Sequence, residues 1–202
     1  MKVKTSEMVS RVFALLNENE MISEERVEYG DPGAMLRPLI LDLLPDAARA
    51  VIKEAPLSKI NDCTHVSDLD LTPEINQAGN TVMHTAQLPA NFLRLLYARA
   101  SDWPTGLTTP MEYGGDAYRL RVETEGRGNR GFRALRRPAL AIRHTGQQAT
   151  IEVFGSMPGA RLESLDYAAQ PEISGKHIDI PPALKLDICA KTAEMVAAVL
   201  NG

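Results

Sequence analysis

The chain has 202 residues, a net charge of −4, and apolar and charged fractions of 44% and 24%. That length fits one domain, or one domain with an insertion, around a sizeable core, and the composition is that of an ordinary globular protein. No apolar run approaches the roughly 20 residues that span a bilayer, the polar start Met1–Glu7 argues against a secretory signal, and the negative net charge argues against a generic nucleic-acid coat.

Residues 5–18 read as an amphipathic helix. Thr5 or Ser6 can cap it, and Met8, Val9, Val12, Phe13, Leu15 and Leu16 recur at helical spacing. Gly30-Asp31-Pro32-Gly33 is a turn. A second helix from Met35 to Glu54 places Leu36, Ile40, Leu43, Leu44, Ala47, Val51 and Ile52 on one face, and Pro45 is expected to bend or split it. Ala55-Pro56 stops it.

From Leu57 to about Met157 the texture changes: prolines and glycines punctuate short runs, and the apolar period moves toward two. The acidic stretch 61–74, with Asp62, Asp68 and Asp70, reads as a solvated loop. Thr81–Gln87 alternates like a half-exposed strand. Phe92–Arg99 fits strand or helix. Pro138–Ile142 and Ala149–Phe154 flank a short glycine-containing loop and predict a hairpin. Leu162–Tyr167 suits an edge strand. Ile180-Pro181-Pro182 opens a last helix with an apolar stripe of Leu184, Ile188, Cys189, Thr192, Val196, Val199 and Leu200. The expected fold is α+β: one domain over 1–202, with a helical base (5–56 and 181–200) and an inserted β-rich, sandwich-like region over about 57–180.

Motifs for chemistry are missing. Cys63 and Cys189 match no metal or redox spacing and read as reduced thiols. The histidines His65, His84, His144 and His177 form no ligand pair. Gly155-Ser156-Met157-Pro158-Gly159 has its serine in the wrong place for a nucleophile elbow. The glycines of Gly126-Arg127-Gly128-Asn129-Arg130-Gly131 follow no apolar strand, so a dinucleotide turn is not expected. No catalytic, cofactor or metal residue is therefore assigned. A small enzyme drawing an acid/base pair from Asp62, His65, Asp68 or His177 stays open as an alternative.

The charge pattern is more telling. From Arg119 to Arg143, eight arginines against Glu123 and Glu125 give a local charge of +6, which leaves −10 on the remainder. Arginine's guanidinium fork suits bidentate contact with carboxylate or phosphate. Arg127, Arg130, Arg133, Arg136 and Arg137, with Phe132 as an apolar wedge, are the candidate interface residues. Their target is either an acidic protein surface or nucleic acid, so a DNA-binding module is a further alternative. Trp103 suits a core anchor better than an exposed contact.

Several segments together carry a resemblance. They are the Ala55-Pro56 break, Leu88-Pro89-Ala90-Asn91-Phe92-Leu93-Arg94-Leu95, Ser101-Asp102-Trp103, and Tyr118 before the arginine/glycine segment. Arg137-Pro138-Ala139-Leu140-Ala141-Ile142, Ile151-Glu152-Val153-Phe154, Tyr167 and Ile180-Pro181-Pro182 before an alanine-rich helix complete the series. In order and spacing this resembles the head-to-tail adaptor (ring, tail-tubular) proteins of short-tailed bacteriophages, especially the ring proteins of crAss-like phages. The resemblance implies a structural virion protein of the neck or tail, made in the host cytoplasm. It implies a ring of copies of itself, a dodecamer, seated under the portal protein and against other tail or ring proteins. Double-stranded DNA would pass through the lumen during ejection without tight binding, with no membrane partner, cofactor or enzymatic role.

Overall fold

The computed structural model describes residues 2–18, 32–127, 137–146 and 148–201. In chain order the elements run β1 (Lys2–Lys4), α1 (Thr5–Glu18), α2 (Pro32–Glu54), β2 (Thr64–Asp70), β3 (Thr72–Ile75), β4 (Thr81–Gln87) and β5 (Phe92–Ala100). There follow α3 (Asp116–Gly126), β6 (Ala139–Thr145), β7 (Gln148–Phe154), β8 (Arg161–Ala169), β9 (Ile173–Ser174), β10 (His177–Asp179) and α4 (Lys185–Asn201). The fold is mixed α+β. The chain divides into two compact units, one made of Met1–Asp62 with Gln170–Gly202 and the other of Cys63–Ala169.

In the first unit the apolar spacing of the sequence becomes a packed helical core. α1 buries Met8, Val9, Val12 and Leu16, and α2 buries Ile40, Leu44, Ala47, Ala48 and Ile52. α4 lies against both helices through Ile188, Cys189, Thr192, Ala193 and Val196. The one buried hydroxyl on that face, Thr192, donates to the Ile188 carbonyl at 2.7 Å, so it carries no unmet hydrogen bond into the core. Leu184 is also buried, in the 3-10 turn Pro182–Leu184 that precedes α4. β1 pairs with β10, and β10 with β9, with Val3 opposite Ile178. α2 begins at Pro32, ahead of the expected Met35, and continues as one helix through Pro38 and Pro45. Pro45 removes one helical hydrogen bond, but Ile40 and Leu44 before it and Ala47, Ala48 and Ile52 after it hold both halves on the same core.

The second unit holds two antiparallel sheets, ordered β2-β8-β5 and β3-β4-β7-β6. One core joins them. Leu95, Ala98, Leu162, Leu165 and Tyr167 come from the first sheet, and Ala86, Leu140, Ile151 and Val153 from the second, with Trp103 buried among them at 3% exposure. β6 and β7 form the expected hairpin, closing with Thr145 opposite Gln148 and Gly146 at φ +61. Gly146 takes at no steric cost a backbone angle that a side chain resists.

Three expectations need correction. Most of the stretch 61–74 is strand rather than loop, as β2 and β3. Leu162–Tyr167 is the middle of a sheet, since β8 lies between β2 and β5. The third concerns α3, a helix within the stretch that reads as β-rich. The first has a local cause. Asp68 takes the left-handed φ of +56, and the registers run Ser67↔Ser164 to Leu69↔Leu162 on one side of β8 but Arg99↔Ser164 to Ala100↔Leu162 on the other. The inward residues are therefore Val66 and Leu69 on β2, and Leu162 and Leu165 on β8, three apart rather than two. A bulge of this kind shifts the alternation by one and hides the strand. β5 carries three such shifts, which explains its mixed pattern.

Candidate interface around the arginine-rich segment

α3 covers the outer face of the four-stranded sheet with few apolar groups. It has no fully buried residue, and only Tyr118 and Val122 pack on the small cluster of Met83, Ala141 and Phe154. The Tyr118 ring meets Phe154 edge-on at 5.8 Å and Tyr113 at 4.9 Å. So narrow an apolar face leaves no amphipathic signal in the sequence.

Polar contacts supply the rest of the attachment. Asn76 sits at the β3–β4 turn and accepts from the Ala78 and Asn80 backbone N–H groups, each at 3.0 Å. Its Nδ2 donates to the Gly126 carbonyl at 2.7 Å, and Asn80 Nδ2 donates to the same oxygen at 3.1 Å. A Cβ at position 126 would come within 3.3 Å of that Asn76 nitrogen, so glycine suits the site. At the other end of the segment, Arg121 Nη2 donates to the Arg137 carbonyl at 2.5 Å and pairs with Glu125 at 3.1 Å. The pair is largely covered, with 16% and 11% of its side chains exposed. One boundary of the arginine-rich segment, Gly126, is thus fixed to the β3–β4 turn and the other, Arg137, to α3.

Beneath α3 lies a buried carboxylate. Glu152 on β7 is fully buried, with Arg143 Nε at 3.2 Å, and Arg143 also reaches Glu74 on β3 at 3.5 Å. Neither Glu152 oxygen receives a well-aligned hydrogen bond among the described residues. Burial raises the Glu152 pKa, while the Tyr118 phenol and the Arg143 charge act to keep it ionised. The Tyr118 pKa is raised well above its ordinary value by burial and then by the Glu152 carboxylate beside it. His84 on β4 is also buried, and desolvation lowers its pKa, so it is neutral at pH 7.

Of the candidate interface residues, Arg127 caps the end of α3 with its side chain 74% exposed and pairs with Glu123 at 3.5 Å. Arg137 is exposed just before β6. Arg130, Phe132, Arg133 and Arg136 lie outside the described residues. Sequence reasoning missed the residues that fix the segment, Asn76, Asn80 and Arg121. The one available signal was Asn76-Gln77-Ala78-Gly79-Asn80, a turn with an asparagine at each end.

The acid/base candidates divide between the two units. Asp62 and His177 belong to one unit, and His65 and Asp68 to the other. His65 Nδ1 does lie 2.6 Å from a carboxylate, but that of Asp166, its cross-strand neighbour on an open sheet face. Among the described residues no group of three or more His, Cys, Asp or Glu could hold a metal ion, and no helix is long and apolar enough to cross a membrane. No protein-family model matches the chain, and no curated protein is similar enough to count as a relative.

Proposed function

We propose that this chain is a structural subunit of a short-tailed phage neck, a ring protein that joins the portal to the tail and surrounds the DNA path. The observation that carries the reading is the arginine-rich segment fixed at both boundaries, by Asn76 and Asn80 at Gly126 and by Arg121 at Arg137. Arg127 and Arg137, the exposed arginines at those boundaries, hold charge at defined positions, as a subunit contact requires. Arginine favours bidentate pairing with carboxylates, and heterologous contacts between unlike faces close into rings. The acidic surplus elsewhere in the chain suits a channel that must release DNA, because phosphate binding would slow its passage.

Arg127→Ser, Arg130→Ser and Arg133→Ser together test this. The triple variant should melt within about 1 °C of the parent, since exposed charge contributes little to stability, yet fail to join rings when co-expressed with the portal, as seen by electron microscopy. Normal ring assembly with lost DNA affinity would instead identify a DNA-binding module. No change in either property would make the segment a solvated loop.

A further inference from the structure

We infer that α3 is a proton-gated strap, which closes on the four-stranded sheet when Glu152 carries a proton and lifts when that carboxyl ionises. The inference goes beyond the ring reading and does not depend on it. Glu152 is fully buried on an inner strand, on the face of the sheet that α3 covers. The cover is weakly held: α3 has no fully buried residue, its Leu120 stands 66% exposed, and only Tyr118 and Val122 pack on the apolar cluster beneath. A segment with so few buried apolar contacts belongs to the part of a fold that opens locally, ahead of global unfolding. Glycines lie at both ends of it, Gly114-Gly115 before the helix and Gly126 at its close.

The ionisable groups around Glu152 set the direction. Arg143, from the edge strand β6, sits 3.2 Å from Glu152 and 3.5 Å from Glu74 on the opposite edge strand, β3. α3 contributes the Tyr118 phenol, and the loop before it Tyr113, which stacks on Tyr118. Farther along α3, Arg121 and Glu125 pair with each other at 3.1 Å. β4 contributes Met83 and Thr85, which do not titrate, because His84 lies opposite Val153 and points with it into the inter-sheet core. Arg143 is one-third exposed and shared with Glu74, so it does not offset the burial, and the Glu152 pKa is raised while α3 is closed. Lifting α3 returns the carboxyl to water and to its ordinary range, about 4.3. Closing therefore takes up a proton, and the closed state loses stability as pH rises through its own pKa. Gly126 ends α3 and Arg137 is held by Arg121 on it, so lifting frees both boundaries of the arginine-rich segment together.

Hydrogen exchange of the full chain, read by mass spectrometry and corrected for the intrinsic pH dependence of amide exchange, tests this. From pH 5 to pH 7 the opening equilibrium of α3 should rise at least about threefold, where a single proton allows at most about tenfold per pH unit. β7 should not follow. Glu152→Gln, which keeps the shape but cannot ionise, should make α3 opening equal at the two pH values. Tyr118→Phe keeps the ring on Phe154 and removes the phenol that supports the carboxylate, so it should promote opening more at pH 7 than at pH 5. Three results would each overturn the proposal: α3 opening in the parent that ignores pH, an equal rise in β7, or a pH dependence that survives in Glu152→Gln. A Tyr118→Phe effect of the same size at both pH values would overturn it as well.

Discussion

Replacing Arg143 with alanine isolates the charge buried beneath α3. The change leaves the Glu152 carboxylate, fully buried, without its nearest cation. Breaking a buried pair costs roughly 3–5 kcal/mol, and because Arg143 is itself one-third exposed the lower end applies, about 3 kcal/mol at pH 7. A limit follows from titration. Glu152 can escape the penalty by taking a proton, which from an ordinary pKa near 4.3 costs about 3.7 kcal/mol at pH 7 but only about 1 kcal/mol at pH 5. The deficit should therefore shrink from about 3 to about 1 kcal/mol between pH 7 and pH 5. The sign is set by the raised pKa: a carboxyl that holds its proton more tightly when folded loses stability as pH rises. His84, with its lowered pKa, weakens the fold as pH falls, but it does so in parent and variant alike and cancels in the difference. Urea titration at both pH values, followed by the fluorescence of Trp103 in the β-unit core, reads the transition of that unit. In a Glu152→Gln background, where no carboxylate is left to strand, Arg143→Ala should cost under about 1 kcal/mol. An R143A deficit equal at pH 5 and pH 7, or undiminished beside E152Q, would refute this account.

Other changes probe the rest of the fold. Truncation after Lys185 should abolish soluble folding, since it removes Ile188, Val196 and their neighbours, each worth roughly 1.5–3 kcal/mol of burial, from the core shared with α1 and α2; a truncated chain that still melts cooperatively would show α4 to be dispensable. Leu165→Ala, at a fully buried position between the two sheets, should cost about 2–5 kcal/mol in urea unfolding. Asn76→Ala removes three hydrogen bonds at the α3 boundary and should cost about 1–3 kcal/mol. Its signature should be faster hydrogen exchange in α3 with little change in β7, and equal acceleration in both would argue against a local tie.

The helices were legible because each buries a continuous stripe: Met8, Val12 and Leu16, or Ile188, Thr192 and Val196. β4 and the β6–β7 hairpin were legible because their alternation is unbroken. β2 was not, since the left-handed backbone at Asp68 displaces its inward side chains by one, and β8 was legible as a strand but not as the middle of its sheet, because strand order depends on distant pairings. α3 was hidden for a different reason, being held by Tyr118, Val122 and polar contacts from distant residues, which leave no periodic trace. The arginines themselves could be read directly. What fixes their boundaries could not, because Asn76 and Gly126 meet only once the chain has folded.

The register Thr64↔Tyr167 has a consequence for how the protein is made. α1 and α2 leave the ribosome long before α4, and their shared core cannot close until α4 has emerged. At typical rates the interval between α2 and α4, about 130 residues, takes on the order of 10 s. The β unit is contiguous in sequence and can fold during that wait. When Thr64 pairs with Tyr167, its two ends become neighbours, and the effective loop between α2 and α4 contracts from about 130 residues to about 28. By loop-closure entropy this spares the helical core about 1.4 kcal/mol of ordering cost. The inserted sheet pair thus acts as an intramolecular clasp, delivering the last helix to the first two.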